Sequence, residues 1–445
     1  MTLTPSRQLT SPEVTPSAGG RRGWPLPEDL GSWGSEAEFT AQRPEAGQWV
    51  FWEDRVELAL AGRYHEVLPL HVEVSPTYLC NFACPWCSCR SARGEWAEDD
   101  VFHHPRATPL TVMRKPRLEA VIDHLAEHNV EIMWVGGEPT MNPLLYPAAA
   151  RAAEVGLNQC IFTNGSLFKP DQARALYDAG LVFIRVSLNA VTPEVHQRHH
   201  DYDPRRPYAE RVLSNVEMLA ELRAENRSRT LLGISVVVDE RNVNDLQRTA
   251  EFLAAACGGS RPGRIDYVMV RPAFPLTGAE VDLSDSVVAE FARQTAEGSD
   301  LRRLLADAGI QLVIPEQSVA RSGSQKIPED DIGCLAAGWF GEVTPSGDML
   351  PCSDLYGDPD FVIGNVEQES LHSIWNSARR GLVLDKVRTE KCASRRCPSN
   401  GRGYHLNRTF RRLEDLRRSG RLEVAQDWID DIRRVLPRPE HSFFI

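Results

Sequence analysis

The chain has 445 residues, which suggests two or three packing units, and its 42% hydrophobic content can supply a large core. Its net charge of −12, from 50 basic and 62 acidic residues, gives no basic field for nucleic acid. No run approaches the roughly 18 consecutive apolar residues of a membrane span, and the N-terminus lacks the apolar region of a secretory signal. Ten cysteines in such a chain indicate metal ligands and reduced thiols rather than disulfides. We therefore expect a cytoplasmic protein with no nucleic-acid or membrane partner.

The chain divides by composition into five parts. Residues 1–45 are rich in Pro, Gly, Ser and charge, which predicts a disordered or loosely docked arm. Residues 46–280 form the predicted core, 281–330 a connecting segment, 331–400 a small Cys-rich unit, and 401–445 a helical tail.

Short apolar runs alternate with amphipathic helical patterns through the predicted core. The predicted strands are 70–76, 131–136, 158–163, 182–188, 231–238 and 265–271. The predicted helices are 116–128, 143–155, 170–179, 207–225 and 243–256. Six strands alternating with helices predict an α/β fold with a parallel sheet and right-handed crossovers. Ligand sites of such sheets lie at the carboxyl ends of the strands.

Three cysteines follow the first predicted strand within eight residues, at Cys80, Cys84 and Cys87. Three thiolates can hold three irons of a [4Fe–4S] cluster and leave the fourth iron open to a substrate or cofactor. A zinc knuckle or unrelated thiols are the alternatives. Zinc sites usually show paired C-x-x-C units or a nearby His, and neither completes this one.

The triplet, with Trp86 just before its last cysteine, resembles the signature of the radical S-adenosylmethionine (SAM) enzymes. The resemblance implies a partial (β/α)6 barrel in which the open iron chelates the amino and carboxylate groups of SAM. It also implies that an electron from the cluster splits SAM into methionine and a 5′-deoxyadenosyl radical.

A glycine pair after the second predicted strand supports this resemblance. The segment Gly136, Gly137, Glu138, Pro139 is similar to the GGEP motif of the family, whose backbone carbonyls bind the SAM amino group. Glu138 is expected either to shape the loop or to help hold that ammonium. Glycine suits this place because backbone without a Cβ can approach a ligand closely.

The ends of later strands add further expected SAM contacts. The family uses polar residues at these strand ends for the SAM carboxylate or the ribose hydroxyls. The corresponding residues here are Thr163, Asn164, Ser187 and Asn189. Ser187 and Asn189 share a strand parity and are expected to face into the barrel, although a helix-capping role is the alternative. Arg271 is expected to pair with the SAM carboxylate, because Arg forms bidentate pairs with carboxylates, and a surface Arg at a strand end is the alternative.

The segment from Cys334 to Cys352 predicts a hairpin around the turn at residues 345–348, and Cys392 and Cys397 follow it. It resembles the SPASM/twitch extension of many radical SAM enzymes. A complete SPASM domain has seven cysteines and two auxiliary clusters, whereas four thiols here suit one auxiliary [4Fe–4S] cluster with no open iron. A four-cysteine structural zinc site is the alternative.

The sequence predicts a radical SAM oxidoreductase or epimerase of natural-product biosynthesis. The absence of a visible leader-peptide domain favours dehydrogenation or epimerisation of an aminocyclitol or sugar, and a peptide-modifying enzyme is the second interpretation. Cys89, close to the cluster loop, is the candidate hydrogen donor. A flavodoxin or ferredoxin is the expected electron donor. A non-enzymatic zinc or iron–sulfur protein is the third interpretation, although it would have no need of the GGEP segment.

Overall fold

The computed structural model describes residues 49–87, 111–259, 263–273, 283–314, 335–352, 355, 358–387, 400–435 and 438–443. The predicted N-terminal arm lies outside these residues, as do Cys89, Cys334, Cys392 and Cys397. Among the described helices, none is long and apolar enough to cross a membrane.

The described elements follow the predicted alternation of strands and helices. The strands are β1 His71–Val74, β2 Glu131–Trp134, β3 Gln159–Thr163, β4 Phe183–Ser187, β5 Leu231–Val238, β6 Tyr267–Pro272, β7 Gln311–Val313, β8 Phe340–Val343, β9 Asp348–Leu350 and β10 Gly364–Asn365. The helices are α1 Glu53–Leu60, α2 Lys115–Glu127, α3 Leu145–Glu154, α4 Pro170–Asp178, α5 Pro193–His200, α6 Tyr208–Glu225, α7 Leu246–Cys257, α8 Asp285–Thr295, α9 Asp300–Asp307, α10 Leu371–Trp375, α11 Ala378–Lys386, α12 Asn400–Arg418 and α13 Leu422–Val435. All six predicted strands and all five predicted helices form, with ends shifted by three residues or fewer.

One sheet contains all ten strands, in the order β10-β9-β8-β1-β2-β3-β4-β5-β6-β7. Strands β1 to β7 pair in parallel with their sequence neighbours, as βαβ crossovers require. The chain therefore has the α/β fold of a partial barrel, and the carboxyl ends of β1 to β6 lie along one edge.

The two faces of the sheet carry different side chains. The outer face packs on the helices through alternate residues such as Val72, Ile132 and Ile184, and α2 presents Leu118, Val121, Ile122 and Leu125 at helical spacing. The inner face carries the residues between them, including Met133, Cys160 and Phe183. Free cysteine behaves as a small hydrophobe, so the fully buried Cys160 is a packing residue, as expected.

The sheet extends beyond the six predicted strands on both sides. The predicted connecting segment, 281–330, contributes α8, α9 and the strand β7, which pairs with β6. Three residues are too few to show strand periodicity, which explains why the sequence indicated only a connection. On the other side, the predicted hairpin forms as β8 and β9, and β8 pairs in parallel with β1.

The helical tail forms a second core with the first described residues. Helices α12 and α13 bring Phe410 and Trp428 against Trp49, which also packs edge-on against Trp339 with ring centroids 5.5 Å apart. Burial of these large aromatic surfaces fixes α12 and α13 on the body.

Residues 438–443 are not helical, unlike the tail predicted for this region, and lie against the amino-terminal ends of the strands. The Phe443 ring is buried on the inner face, 5.5 Å from the His71 ring and 6.0 Å from the Phe183 ring. The Ser442 amide and hydroxyl both donate to Glu131, each at 2.6 Å. This C-terminal segment therefore closes the inner face at the end opposite the predicted SAM site.

Candidate active site

The loop that carries Cys80, Cys84 and Cys87 follows β1 at the carboxyl edge of the sheet, and all three side chains are half-buried. The Phe82 amide donates to Cys80 Sγ at 3.4 Å, and the Asn164 side-chain amide contacts the same sulfur at 3.9 Å. No three His, Cys, Asp or Glu side chains in the described ranges surround a single-ion site. A [4Fe–4S] cluster does not require one, because each thiolate binds a different iron.

The glycine segment after β2 is bonded directly to the chain that leads into the cysteine loop. The Gly137 amide donates to the Thr77 carbonyl at 2.9 Å, and the Glu138 amide donates to the Leu79 carbonyl at 2.7 Å. A Cβ on Gly137 would collide with the carbonyl oxygens of Leu79 and Tyr78. Gly136 has a φ of +112°. Only glycine therefore allows the two loops to lie this close together.

Glu138 is buried within the site and accepts hydrogen bonds that hold the loop in shape, which is one of the two roles expected for it. Its Oε1 atom accepts from the Thr140 amide, the Thr140 hydroxyl and the Thr163 hydroxyl, and its Oε2 atom accepts from the Asn164 amide at 2.6 Å. Burial raises the pKa of this carboxyl, and the hydrogen bonds from Thr140, Asn164 and Thr163 oppose that shift. Glu138 thus joins the ends of β2 and β3. Pro139 is buried beside it at the start of a 3-10 turn.

These residues fit the cluster and SAM that the sequence predicts. Three thiols, a backbone loop that excludes side-chain bulk and the polar ends of β3 and β4 lie at one edge. The residues that would hold the cluster are Cys80, Cys84 and Cys87. The backbone around Gly136 and Gly137 would hold the amino group of SAM.

A cluster of three histidines that the sequence analysis did not identify lies beneath the cysteine loop. Helix α5 carries His196, His199 and His200, all fully buried. The Trp86 indole donates to His199 Nδ1 at 3.1 Å, and His200 Nδ1 lies 3.2 Å from Cys84 Sγ. Thr192, Pro193 and Glu194 form a helix-start signal that could have predicted α5.

Burial is the main cause of strongly lowered pKa values in this cluster. It lowers the pKa of His196 to about 2 with a contribution from His200, and that of His199 to about 3 with contributions from Arg241 and His196. The pKa of His200 is also lowered well below its usual value. All three imidazoles are therefore neutral near pH 7, and each has one protonated ring nitrogen.

The hydrogen bonds of Asn189 fix the tautomer of His200. The Val237 amide donates to Asn189 Oδ1 at 2.8 Å, so Asn189 Nδ2 is the atom that faces His200 Nε2, at 3.2 Å. The Leu188 carbonyl lies 3.4 Å from Nε2, but a proton on Nε2 would point two N–H donors at each other across the 3.2 Å contact with Asn189 Nδ2. Nε2 therefore accepts, and the protonated Nδ1 donates to Cys84 Sγ.

The other predicted SAM contacts differ in their surroundings. Ser187 is half-buried at the end of β4 on the inner face, and Arg271 is half-buried on the inner face of β6. Asn189 does not follow the predicted strand parity, because β4 ends at Ser187 and Asn189 has a φ of +61°. Its side chain is buried, and both ends of its amide are bonded within the protein. Contact of Ser187, Asn189 and Arg271 with SAM remains a prediction.

Only one of the four predicted auxiliary ligands lies within the described residues. Cys352 follows β9 and is half-buried. Because β9 runs antiparallel to β8, with Leu350 opposite Glu342, Cys352 comes after the chain has turned back toward the amino-terminal end of β8. It therefore follows the hairpin as predicted, away from the edge of the cysteine loop.

Comparison with known families identifies both Cys-bearing parts. The radical SAM superfamily model matches residues 74–253, and the model of an iron–sulfur cluster-binding domain, SPASM, matches residues 334–398. The chain carries a radical SAM domain followed by a SPASM domain. The radical SAM domain implies a [4Fe–4S] cluster and SAM, and the SPASM domain implies auxiliary iron–sulfur clusters.

Individual relatives share one or both of these domains. The chain is 30% identical to a GTP 3′,8-cyclase of Staphylococcus carnosus over 177 residues, which is 40% of this chain and 47% of that relative. It is 26% identical to a PqqA peptide cyclase of Ruegeria pomeroyi over 320 residues, 69% of this chain and 74% of the relative. The structure of Streptococcus suis SuiB bound to precursor peptide SuiA covers 80% of this chain and 74% of SuiB, with 16% identity and a TM-score of 0.54. That similarity shows the fold.

Proposed function

We propose that this protein is a radical SAM enzyme that modifies a peptide. The observation that carries the proposal is that PqqA peptide cyclases of five organisms each match 69–74% of the chain. The match to the GTP cyclase covers only 40%. An alignment of 320 residues extends beyond the radical SAM match at residues 74–253, so it is more informative about the whole chain than an alignment of 177 residues. This proposal favours the second interpretation of the sequence over the small polyol.

The residues of the carboxyl edge have separate roles in this proposal. Cys80, Cys84 and Cys87 hold the cluster, and the backbone at Gly136 and Gly137 orients SAM. When bound, the cluster and SAM supply a 5′-deoxyadenosyl radical that removes hydrogen from a substrate C–H bond. Glu138 keeps the ends of β2 and β3 together through its four accepted hydrogen bonds. The protein thus positions the reacting groups and excludes water, while the cofactor carries the chemistry.

The SPASM domain determines the outcome in this proposal. Cys334, Cys352, Cys392 and Cys397 would hold one auxiliary cluster, which would supply an electron acceptor and so favour dehydrogenation or bond formation. A flavodoxin or ferredoxin reduces the first cluster. Epimerisation requires a hydrogen donor instead, and Cys89 is the candidate for that role.

An anaerobic assay tests the proposal. The iron-reconstituted protein is incubated with SAM and dithionite, and 5′-deoxyadenosine is measured by mass spectrometry with candidate precursor peptides and, separately, with aminocyclitols. We expect 5′-deoxyadenosine to form, and a peptide to accelerate it and change in mass. Acceleration by an aminocyclitol and by none of the peptides would favour the small-polyol prediction. The Cys84→Ala variant is the control and should form none.

A further inference from the structure

Arg185 is a buried cation with no oxyanion partner among the described residues. It lies on the inner face of β4 and is 5% exposed. Its Nε atom donates to the Tyr267 hydroxyl at 2.9 Å, and Nη1 contacts the Met269 sulfur at 3.8 Å. Nη2 is buried and has no hydrogen-bond partner within the described part of the chain. Burying a charge is costly unless it is paired and fully hydrogen-bonded, and this guanidinium is neither.

Two other buried arginines of the same chain show the oxygen acceptors that a structural arginine bonds to in this protein. Arg55 donates to the carbonyls of Leu68 and Pro69 and pairs with Asp54. Arg380 donates to three carbonyls, those of Trp375, Val67 and Gly338. Arg185 bonds to no carbonyl and no carboxylate in the described ranges. The fork formed by its Nη1 and Nη2 atoms is therefore short of oxygen acceptors.

Aromatic rings hold the guanidinium in place. The Arg185 Cζ atom lies 4.8 Å from the Phe162 ring centroid, 4.9 Å from that of Phe183 and 5.3 Å from that of Tyr267. Each contact at this distance attracts a cation to the ring face. The rings restrict the guanidinium without occupying its N–H donors, so the donors are oriented in advance of any ligand.

Gly233 makes this arrangement possible. Strand β5 separates Arg185 from Tyr267, with Arg185 opposite Gly233 and Gly233 opposite Tyr267. A Cβ on Gly233 would overlap the Tyr267 ring, so only glycine lets that ring lie across β5 and reach Arg185. The site is thus built from four adjacent strands.

The position of Arg185 links it to the active site. Ser187 follows it on the same face of β4, and Ser187, Phe162 and Met269 remain partly exposed above it. On the opposite side, the buried Phe443 ring closes the inner face 6.0 Å from Phe183. Arg185 therefore lies on the inner face two residues before the carboxyl end of β4, between the predicted SAM site and Phe443.

We propose that Arg185 is a receptor for a substrate carboxylate. The planar guanidinium fork matches a carboxylate with two parallel hydrogen bonds. The carboxylate is that of the substrate, and under the proposed function it belongs to an acidic side chain or to the C-terminus of the peptide, so this inference rests on that function. Phe162, which is the partly exposed ring of the three, would contact the apolar carbons next to the carboxylate.

A stability comparison tests whether Arg185 serves a ligand or the fold. Met has a similar length and no charge, and replacing a poorly paired buried charge by a hydrophobic residue is often neutral or stabilising. We expect Arg185→Met to keep or raise the melting temperature of the reconstituted protein. The matched control, Arg380→Met, should lower it, because the carbonyls of Trp375, Val67 and Gly338 each lose a hydrogen bond. A loss in Arg185→Met as large as that in Arg380→Met would overturn the proposal.

A binding measurement without SAM or peptide separates this inference from the proposed function. Sodium acetate should raise the melting temperature of the wild type above that in sodium chloride of equal ionic strength, and should not do so for Arg185→Met. Equal responses of the two proteins contradict the proposal. The SAM dissociation constant should be the same in both proteins. A tenfold weakening in Arg185→Met would show that the carboxylate is that of SAM and overturn the substrate assignment.

Discussion

The Nδ1 atom of His200 lies 3.2 Å from Cys84 Sγ, and the hydrogen-bond pattern of Asn189 makes that nitrogen a donor. A neutral imidazole buried beneath the cysteine loop therefore donates to a predicted cluster ligand. Hydrogen bonds to the sulfurs are among the factors that set the reduction potential of an iron–sulfur cluster. His200 is thus a positioning residue that acts on the cluster through Cys84.

We expect His200→Leu to lower the midpoint potential of the SAM-binding cluster, because the reduced, more negative cluster loses a donor. His200→Asn should restore much of the potential, since the Asn amide nitrogen can occupy the place of Nδ1. The measurement is an anaerobic redox titration followed by the EPR signal that SAM perturbs.

His196→Leu is the matched control for this titration. His196 is equally buried on α5 but bonds to the Tyr202 hydroxyl at 2.9 Å rather than to a cysteine. Its substitution should leave the potential unchanged. Equal shifts in His196→Leu and His200→Leu would attribute the effect to packing and not to the hydrogen bond.

Gly137→Ala should abolish SAM binding. The new Cβ would collide with the carbonyl oxygens of Leu79 and Tyr78, so the glycine segment and the cysteine loop would have to separate. Gly381→Ala is the control. This glycine lies in α11 with no atom of the described residues within 4 Å of its Cβ position, and Ala there should stabilise the helix by roughly 0.5–1 kcal/mol. Isothermal titration with SAM distinguishes the two variants. Normal SAM affinity in Gly137→Ala would refute the close contact of the two loops.

Glu131 should make stability depend on pH in a defined direction. Burial raises the pKa of Glu131 above its usual value of 4.5, against the hydrogen bonds from Ser442 and Asn158. A carboxyl with a raised folded pKa contributes its stability below the usual pKa, and that contribution is lost as the pH rises through the folded pKa. The melting temperature of the wild type should therefore fall, relative to Glu131→Gln, as the pH rises from about 4.5. A constant difference between the two proteins would contradict the raised pKa.

Phe443→Ala should destabilise the protein by roughly 3–5 kcal/mol, the usual cost of truncating a buried Phe to Ala. The ring closes the inner face beside Phe183, and its loss leaves a cavity there. Leu382→Ala is the control, because Leu382 is largely exposed. Chemical denaturation followed by circular dichroism compares the two, and similar midpoints would show that the C-terminal segment is not part of the core.

Cys352→Ala separates the two predicted clusters. We expect this variant to cleave SAM but to form no net product, because only the auxiliary cluster loses a ligand. Mass spectrometry of 5′-deoxyadenosine and of the substrate in the same reaction measures both steps. Normal product formation would limit the auxiliary site to a structural role.

The parts of the fold that depend on local pattern could be predicted from the sequence. The strand β5, with its run of Val and Ile, and the helix α2, with its regular apolar spacing, are examples. Contacts between distant residues could not be predicted. His200 and Cys84 are 116 positions apart, and neither the tautomer of His200 nor its bond to Cys84 leaves a periodic signal.

The role of a residue that could bond to several different partners could not be predicted either. The role of Glu138 became definite only when Thr140, Thr163 and Asn164 were found to donate to it. Arg185 lies in β4, where apolar and polar residues alternate from Ile184 to Ser187. Its surroundings, which hold no oxyanion in the part of the chain that the structure describes, are formed by four strands together and cannot be read from any single segment.

Because β8 pairs in parallel with β1, the SPASM domain shares a continuous sheet with the radical SAM domain. The SPASM hairpin supplies the strand that covers β1, so its removal would expose the backbone donors and acceptors of β1 along a free sheet edge. Exposed edges invite pairing with other chains and aggregation. A gene fragment that ends before β8 should therefore yield insoluble protein, and any exchange of the SPASM domain between relatives must carry β8 and β9 with it.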